Sequence, residues 1–207
     1  MRLTNTNKVV LTGEIIDKFE FSHETYEEKF YKTFICVGRR SDVSDYLPII
    51  VSEKLMNPDK DLTGERYSIE GTIRSYSYED EAGKHLTIYA FVDEIALAND
   101  RDDFNEVELV GYVTKEPKYR TTPQGKEITD LLVAVNRLNH KSDYLPCICW
   151  GRNAKYMQFQ DVGTKVSIKA RFQSREYTKK YDDGTCDIKQ TYEVSVMKLK
   201  VEEDADD

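Results

Sequence analysis

Aromatic and basic residues recur at even spacing along two segments in the second half of the chain. Tyr144 and Trp150 are at even-numbered positions of the first segment, and Arg171, Arg175 and Tyr177 are at odd-numbered positions of the second. Side chains alternate between the faces of a strand, so each set would share one face if these segments are strands. Rings on such a face stack on nucleobases for about 1–3 kcal/mol each, and basic groups contact phosphates. The pattern predicts a surface for single-stranded nucleic acid that has no sequence preference.

The opposite faces of the two segments are apolar. Leu145, Cys147 and Cys149 fall on the other parity of the first segment, which places Ile148 outward with the aromatic residues. The second segment has an apolar face of Val166, Ile168, Ala170 and Phe172, and an outer face of Lys165, Lys169, Arg171, Gln173, Arg175 and Tyr177. We therefore expect Cys147 and Cys149 to be small core residues rather than a redox pair.

A second interpretation of the aromatic residues is structural. Trp150 and the tyrosines would then pack under a loop or a partner subunit, as isolated surface aromatics do. Trp150 alone fits both interpretations equally. Taken together, Tyr144, Trp150, Arg175 and Tyr177 favour nucleic acid, because basic and aromatic residues are interleaved.

The sequence contains no pattern typical of a catalytic or metal site. Cys36, Cys147, Cys149 and Cys186 form neither two CxxC motifs nor a Cys/His quartet. No phosphate-binding glycine-rich motif occurs, and none of the three histidines belongs to an evident catalytic constellation. The prediction is a binding protein that has no enzyme activity, no metal and no cofactor.

The chain also lacks the usual targeting signals. Its N-terminus, Met-Arg-Leu-Thr-Asn-Thr-Asn-Lys, has no apolar core of a secretory signal, and its longest apolar runs are too short to span a bilayer. We expect a cytoplasmic protein whose cysteines are reduced.

An internal repeat divides the chain into two halves. Residues 7–13 resemble residues 105–111, and Ser-Asp-Tyr-Leu-Pro occurs at both 44–48 and 142–146. These two matches are 98 positions apart, and a third match, 64–69 with 163–168, is 99 apart. Two related units in tandem are therefore expected.

Short alternating segments punctuated by Gly, Pro and Asp predict an all-β protein. In the second half the predicted strands are 105–114, 127–136, 144–151, 165–177 and 188–201, and the predicted helix is 152–161. Five strands with a helix after the third describe an oligonucleotide-binding (OB) fold. We predict two tandem OB folds, each a five-stranded Greek-key barrel with a short helix after strand three. Pro48 and Pro146 then require an edge or a bulge in the third strand.

Charge differs between the predicted units. Residues 1–104 hold 13 Lys/Arg and 21 Asp/Glu, whereas residues 105–201 hold 17 and 12, and residues 202–207 add five acidic residues. The predicted organisation is a divergent, acidic barrel (1–100), a linker (101–104), a basic barrel (105–201) and an acidic tail (202–207). Phosphate neutralisation favours the second barrel as the nucleic-acid binder.

The second half resembles the bacterial single-stranded DNA-binding protein family. Residues 105–111, 116–125, 132–137, 149–151 and 174–177 follow that family's motifs in order. The resemblance implies stacking positions at Tyr144, Trp150, Tyr177 and Leu138, where Leu138 replaces a usual aromatic residue. The full predicted set of DNA contacts is Tyr144, Trp150, Tyr177, Arg175, Arg171, Lys169, Arg120, Lys126, Arg137 and Arg152.

The first half resembles the family more weakly. It has Ser52 where the second half has Trp150, and its first hairpin, residues 19–28, is acidic. Our hypothesis is that this barrel has drifted toward architecture or partner binding. Its predicted weak DNA contacts are Tyr46, Arg74, Tyr76 and Tyr78.

The resemblance also implies an assembly and a role. Family members present four barrels as a homotetramer, which for a two-barrel chain implies a homodimer. The tail, 202–207, supplies acid without the family's linker and terminal hydrophobic pair, and is either a solvated end or a competitor of DNA for the basic groove. The expected function is protection of single-stranded DNA in replication, recombination or repair. The alternative is an accessory, protein-binding module of a primosome or recombination complex.

Overall fold

The computed structural model describes residues 6–80, 83–137, 141–180 and 184–202. Val, Ile and Tyr residues alternate with polar ones in its strands, which suits a sheet with one buried face. The strands of the first half are β1 (Asn7–Ile15), β2 (Glu20–Thr25), β3 (Glu28–Gly38), β4 (Ser44–Ser52), β5 (Arg66–Asp80) and β6 (Gly83–Leu97). The second half contains β7 (Phe104–Val113), β8 (Lys118–Thr121), β9 (Glu127–Asn136), β10 (Ser142–Trp150), α1 (Gly151–Met157), β11 (Lys165–Lys180) and β12 (Cys186–Val201).

Each half closes into a five-stranded barrel. In the first barrel, β1 pairs with both β5 and β3, and the parallel pair β4–β6 completes the circuit β1-β3-β4-β6-β5. The second barrel repeats this order with β7, β9, β10, β12 and β11. The short strands β2 and β8 extend β3 and β9 as hairpins. The predicted tandem Greek-key barrels are confirmed.

Aliphatic side chains fill both barrels. The predicted core residues Leu145, Cys147 and Cys149 are buried, as is the apolar face of β11. Burial raises the pKa of the Cys149 thiol to about 12 and also raises that of Cys147, with the neighbouring Cys149 adding to the effect. Both thiols therefore stay protonated, as the prediction of core residues requires.

The glycine that ends each copy of the first repeat lets two strands approach closely. A Cβ on Gly13 would lie 2.1 Å from the Cys36 carbonyl oxygen, and one on Gly111 would lie 2.4 Å from that of Ala134. At these positions β1 bends onto β3, and β7 onto β9. Glycine is required here because no side chain fits between the strands.

The two barrels join through antiparallel pairing of equivalent strands. β1 runs against β7 from Asn7 opposite Leu109 to Thr12 opposite Phe104, with Val9 opposite Val107 at the centre. Val107 is 98 positions after Val9, the repeat spacing, so the pairing has a local pseudo-two-fold axis. All twelve strands thereby form one continuous sheet.

A helix after the third barrel strand is present in the second half alone among the described residues. The corresponding segment after β4 forms turns, with the Leu55 N–H bonded to the Ser52 carbonyl and the Asp59 N–H bonded to Asn57 Oδ1. Pro58 explains the difference, because proline clashes with the preceding helical turn and disfavours helical backbone at Asn57. The helix expected in the first barrel was therefore wrong.

Two details of the third barrel strand concern the sequence-based predictions for Ile148 and for the two prolines. Ile148 lies on the outer face as expected, aligned with Ser195 of β12, but it is buried there rather than exposed. Pro48 and Pro146 pair with β3 and β9 in an unbroken register, and the parallel ladder on their other side starts only after them. Each proline therefore occupies an edge rather than a bulge, where its missing N–H costs no ladder hydrogen bond.

Candidate nucleic-acid interface

Five predicted contact residues share the outer face of the second barrel. β10 places Tyr144 and Trp150 on this face, and register continues it through Ser195 on β12 to Arg171 on β11. Arg175 and Tyr177 follow Arg171 at alternate positions of the same strand. We call the set Tyr144, Trp150, Arg171, Arg175 and Tyr177 the second-barrel platform. The structure thus brings together residues that lie up to 33 positions apart in the sequence.

The aromatic rings of this platform are accessible. Tyr144 is 46%, Trp150 37% and Tyr177 39% exposed. The Trp150 indole N–H donates a 3.0 Å hydrogen bond to Ser195 Oγ, which fixes the ring plane. A ring that is held in place and still partly exposed loses little entropy when a base stacks on it.

The basic residues divide into paired and unpaired groups. Arg175 Nε contacts Glu193 at 3.2 Å, and Arg120 makes two bonds of 2.6 and 3.1 Å to Asp130. Lys169 pairs with Glu108. Within the described ranges, no ion pair is found for the remaining platform and loop residues, Arg171, Lys126 and Arg152. These three cations are available to phosphates without first breaking an ion pair.

Glu193 positions Arg175 at the centre of the platform. Burial raises the pKa of the Glu193 carboxyl, and the adjacent Arg175 partly opposes this rise. The contact uses the arginine Nε, and Arg175 remains half exposed. A guanidinium has five donors, so its Nη groups can bind a phosphate while Nε stays on Glu193.

Arg137, also predicted to contact DNA, belongs to a contact between the barrels. Its guanidinium makes two hydrogen bonds to the buried Asp143. Asp143 Oδ1 also accepts the Ser75 N–H of the first barrel at 2.6 Å, and Ser75 Oγ accepts the Tyr144 N–H at 3.0 Å. Two donors on different barrels therefore share one carboxylate.

A matching contact lies at the pseudo-symmetric position. Arg39 Nε donates to Asp45 Oδ2 at 2.8 Å, Asp45 Oδ1 accepts the Ser174 N–H at 2.8 Å, and the Tyr46 N–H donates to Ser174 Oγ at 3.1 Å. We call Arg39–Asp45–Ser174 and Arg137–Asp143–Ser75 the seam clamps. Sequence reasoning found the Ser-Asp-Tyr-Leu-Pro repeat that contains both aspartates but missed this role. The repeat itself was the available signal.

The weaker contacts predicted in the first barrel lie on its outer face. Tyr46, Tyr76 and Tyr78 are exposed, with the rings of Tyr76 and Tyr78 stacked at 6.1 Å. Arg74 is instead half-buried, with its guanidinium carbon 3.5 Å from the centre of the Phe91 ring. Phe91 also packs against Phe30 at 5.3 Å. We call Phe30, Phe91 and Arg74 the first-barrel row, which sequence reasoning did not identify.

Two predicted features fall partly or wholly outside the described residues. Leu138, the position of the missing fourth aromatic, is one of them. Of the acidic tail, only Glu202 is described, and its carboxylate accepts hydrogen bonds from Ser167 Oγ at 2.7 Å and Lys200 Nζ at 2.8 Å. These contacts hold the pKa of Glu202 below its ordinary value, Lys200 contributing most.

Comparison with known proteins identifies the second barrel. The sequence profile of the Single-strand binding protein family matches residues 104–202. This segment belongs to the single-strand binding protein family. It includes every member of the second-barrel platform.

Curated relatives of this family support the match. Single-stranded DNA-binding protein 1 of Staphylococcus aureus is 35% identical over 80 residues, which cover 35% of this chain and 48% of that protein. Single-stranded DNA-binding protein A of Bacillus subtilis is 34% identical over 80 residues, covering 35% and 46%. The chain thus spans about half the length of the curated relatives it matches.

A solved structure matches both barrels together. The wild-type single-stranded DNA binding protein from Thermus aquaticus superposes with a TM-score of 0.77 at 18% identity, covering 97% of this chain and 95% of that one. The arrangement of two barrels in one chain therefore occurs in a known fold.

The helix α1, seven residues long, is the one helix of the described ranges and is too short to cross a bilayer.

Proposed function

We propose that this protein binds single-stranded DNA independently of sequence and protects it during replication, recombination or repair. Bases stack on Tyr144, Trp150 and Tyr177, while Arg171 and the Nη groups of Arg175 contact phosphates. The observation that carries the proposal is Trp150, whose indole N–H is held by Ser195 while its ring stays accessible on the second-barrel platform. Stacking and phosphate contact tolerate any base, so binding is general.

The other basic residues have graded roles in this proposal. Lys126 and Arg152 are exposed at the ends of β9 and β10 and extend the phosphate track. Arg120 and Lys169 contribute less, because binding a phosphate would compete with Asp130 and Glu108. Arg137 contributes mainly through the seam clamp. Residues 105–201 act as the binding barrel, 101–104 as a linker, 1–100 as the divergent barrel and 202–207 as an acidic tail.

The single tryptophan provides the test. Titration of oligo-dT into the chain should quench Trp150 fluorescence, and the affinity should fall steeply as salt rises. In Trp150→Ala, a fluorescein-labelled oligo-dT should bind about 5–150-fold more weakly, the range for one stacking contact. Arg171→Gln should weaken binding equally for all sequences and reduce the slope of log affinity against log salt by about 0.7.

Lys18→Gln is the matched control for Arg171→Gln, because Lys18 is an exposed cation before β2 in the first barrel and is not part of the second-barrel platform. It should leave both the affinity and the salt slope close to those of the parent chain. An absence of binding in the parent chain, by fluorescence and by anisotropy, would refute the function.

A second candidate function has its own observation. The β2–β3 hairpin exposes Phe21 and Tyr26 among Glu20, Glu24 and Glu27, and Tyr26 is 98% exposed at the tip. Acidic and aromatic residues together favour a basic protein partner, as in an accessory module of a primosome or recombination complex. The hairpin is distinct from the outer-face platform, so the two functions are compatible.

The assembly we propose is a homodimer that presents four barrels. A coating protein of this kind needs neither metal nor cofactor and has no enzyme activity. It acts in the cytoplasm. Its partners there are single-stranded DNA and replication or recombination proteins.

A further inference from the structure

The hairpins at the two ends of the sheet occupy equivalent places in the repeat. The β2–β3 hairpin pairs Glu20 with Lys32, and the β8–β9 hairpin pairs Lys118 with Asp130. Both members of the second pair lie 98 positions after those of the first, which is the repeat spacing. The two hairpins therefore correspond residue by residue, and the charges of this cross-strand pair are exchanged between them.

The exchange of charge extends along both hairpins. Residues 20–28 hold four acidic residues and no Lys or Arg, whereas the equivalent residues 118–126 hold three Lys/Arg and no acidic residue. Every position from 20 to 32 that is charged in both hairpins has the opposite sign in the second: Glu20 and Lys118, Glu28 and Lys126, Lys29 and Glu127, Lys32 and Asp130. By contrast, the arginine and the aspartate of each seam clamp keep their sign. At the hairpins the sign of the charge has changed, while the charge itself is kept.

Each hairpin ends the sheet with an edge strand. β2 pairs with β3 alone and β8 with β9 alone, and the two are the first and last strands of the sheet order. The outer edge of each therefore carries backbone N–H and C=O groups that have no strand partner among the described residues. Phe21 on β2 is 59% exposed, and its equivalent Tyr119 on β8 is 38% exposed. Such an edge can pair with a strand of another molecule.

The charges on these edges select the partner. Glu20, Glu24 and Lys118 are exposed, and no ion pair is found for them in the part of the chain that the structure describes. Two β2 edges would place carboxylates against carboxylates, and two β8 edges would place cations against cations, so like edges repel. β2 against β8 brings opposite charges together. Because these strands are at opposite ends of the sheet, the contact forms between chains rather than within one.

We propose that the β2–β3 hairpin of one chain binds the β8–β9 hairpin of the next chain on the same DNA strand. This inference rests on the proposed function, and it identifies the basic partner of the acidic hairpin as a second copy of this chain. The contact joins two different surfaces, so it does not close on itself and repeats along the DNA. The association has a direction, with the first barrel of each chain next to the second barrel of its neighbour.

The contact forms where DNA holds the chains side by side. Each edge is short, six residues in β2 and four in β8, and its exposed charges are screened by salt. Free chains at micromolar concentration are therefore not joined by it, and it is additional to the proposed homodimer. Neighbours on one DNA strand have an effective concentration of about millimolar, at which a weak contact is occupied.

An exchange of charges tests the contact. Trp150 fluorescence gives the affinity for the shortest oligo-dT that binds one particle and for an oligo-dT of twice that length. In the parent chain, the second particle should bind the longer oligo-dT more tightly than the first, and this gain measures the contact. Glu20→Lys and Lys118→Glu should each lower the gain about 2–30-fold, since a repulsion between exposed charges replaces an attraction of similar size. The double variant Glu20→Lys, Lys118→Glu restores opposite signs and should recover the gain.

A matched control and a second measurement accompany these variants. Asp102→Lys makes the same change of charge as Glu20→Lys at an exposed position of the linker, and it should leave the gain as in the parent chain. A carbodiimide joins a carboxylate directly to an amine. In the parent chain, mass spectrometry should find Glu20 or Glu24 joined to Lys118 on the longer oligo-dT and not on the shorter one.

The results separate this contact from the proposed function. If the parent chain binds the short oligo-dT but shows no gain on the longer one, the contact is refuted and the proposed function stands. The contact is also refuted if Lys118→Glu weakens both lengths equally, if Glu20→Lys leaves the gain unchanged as a foreign basic partner would, or if the double variant does not recover it. If the parent chain binds no oligo-dT, the proposed function fails and the contact fails with it.

Discussion

Single residues show how the second-barrel platform is prepared for binding. Trp150 uses its N–H on Ser195, so the ring plane is fixed before any ligand arrives. Arg175 is held in the same way by Glu193. Both contacts shift the cost of ordering a long side chain from binding to folding. The alternation of side chains along each strand predicted Trp150 and Arg175 as contact residues. It could not predict that Ser195 and Glu193 hold them, because the sequence does not show which strands pair.

Glu193 provides a residue-scale prediction about pH. Its folded-state pKa is raised by burial above the ordinary 4.5, with Arg175 acting in the opposite direction. A raised pKa means that Glu193 contributes stability below pH 4.5 that is lost as pH rises through the folded-state pKa. Glu193→Gln removes this titration and still accepts a hydrogen bond from Arg175. The free energy of unfolding of the variant, minus that of the parent chain, should therefore be larger at neutral pH than at pH 4.5.

Urea unfolding at several values between pH 4 and 7.5 measures this difference. Glu176→Gln, on the exposed part of β11, is the control and should follow the parent profile. Parallel pH profiles for Glu193→Gln and the parent chain would show that the Glu193 carboxyl is not destabilised by burial.

The secondary-structure elements show where periodicity succeeds and where it fails. Alternation predicted the five barrel strands of the second half and the core faces of β10 and β11 correctly. It placed Ile148 on the outer face, but alternation assigns a face without showing how far neighbouring side chains cover the residue. The helix expected after β4 failed for a local reason, Pro58. The contacts of Phe91 were not found because the repeat aligns Ser52 with Trp150, whereas Phe91 is on another strand.

The seam clamps lead to an element-scale prediction. Asp143→Ala should lower the free energy of unfolding by about 3–5 kcal/mol, because it leaves Arg137 without its buried partner and the Ser75 N–H without an acceptor. Ser75→Ala should cost about 1 kcal/mol, since only the hydroxyl contacts to Tyr144 and Asp143 are lost. Urea unfolding of the two variants measures both values.

The pseudo-symmetric clamp supplies the internal check. Asp45→Ala and Ser174→Ala should reproduce the same large and small effects, because the contacts of Asp45 and Ser174 repeat those of Asp143 and Ser75. If the aspartate and serine variants lost equal free energies of unfolding, the carboxylates would not be the groups that stabilise the contact between the barrels.

At the scale of the whole molecule, one chain contains a symmetric pair of related barrels. Separate single-barrel chains would have to associate to form such a pair. β1 and β7 pair about a pseudo-two-fold axis at Val9 and Val107, and both seam clamps obey the same symmetry. Symmetric interfaces are the rule in homo-oligomers, and here the interface is internal and its two sides have diverged. The core formed by the two barrels is apolar, so the charge difference is confined to their surfaces and one half can be basic and the other acidic.

An internal pair of barrels halves the number of chains that a four-barrel assembly needs. We therefore expect light scattering after size exclusion to give a particle of twice the 24.1 kDa chain mass at micromolar concentration. Because the β1–β7 junction is intramolecular, dilution should separate chains but never barrels, and the smallest particle should be one chain. A particle of one chain mass throughout the concentration range would contradict the dimer.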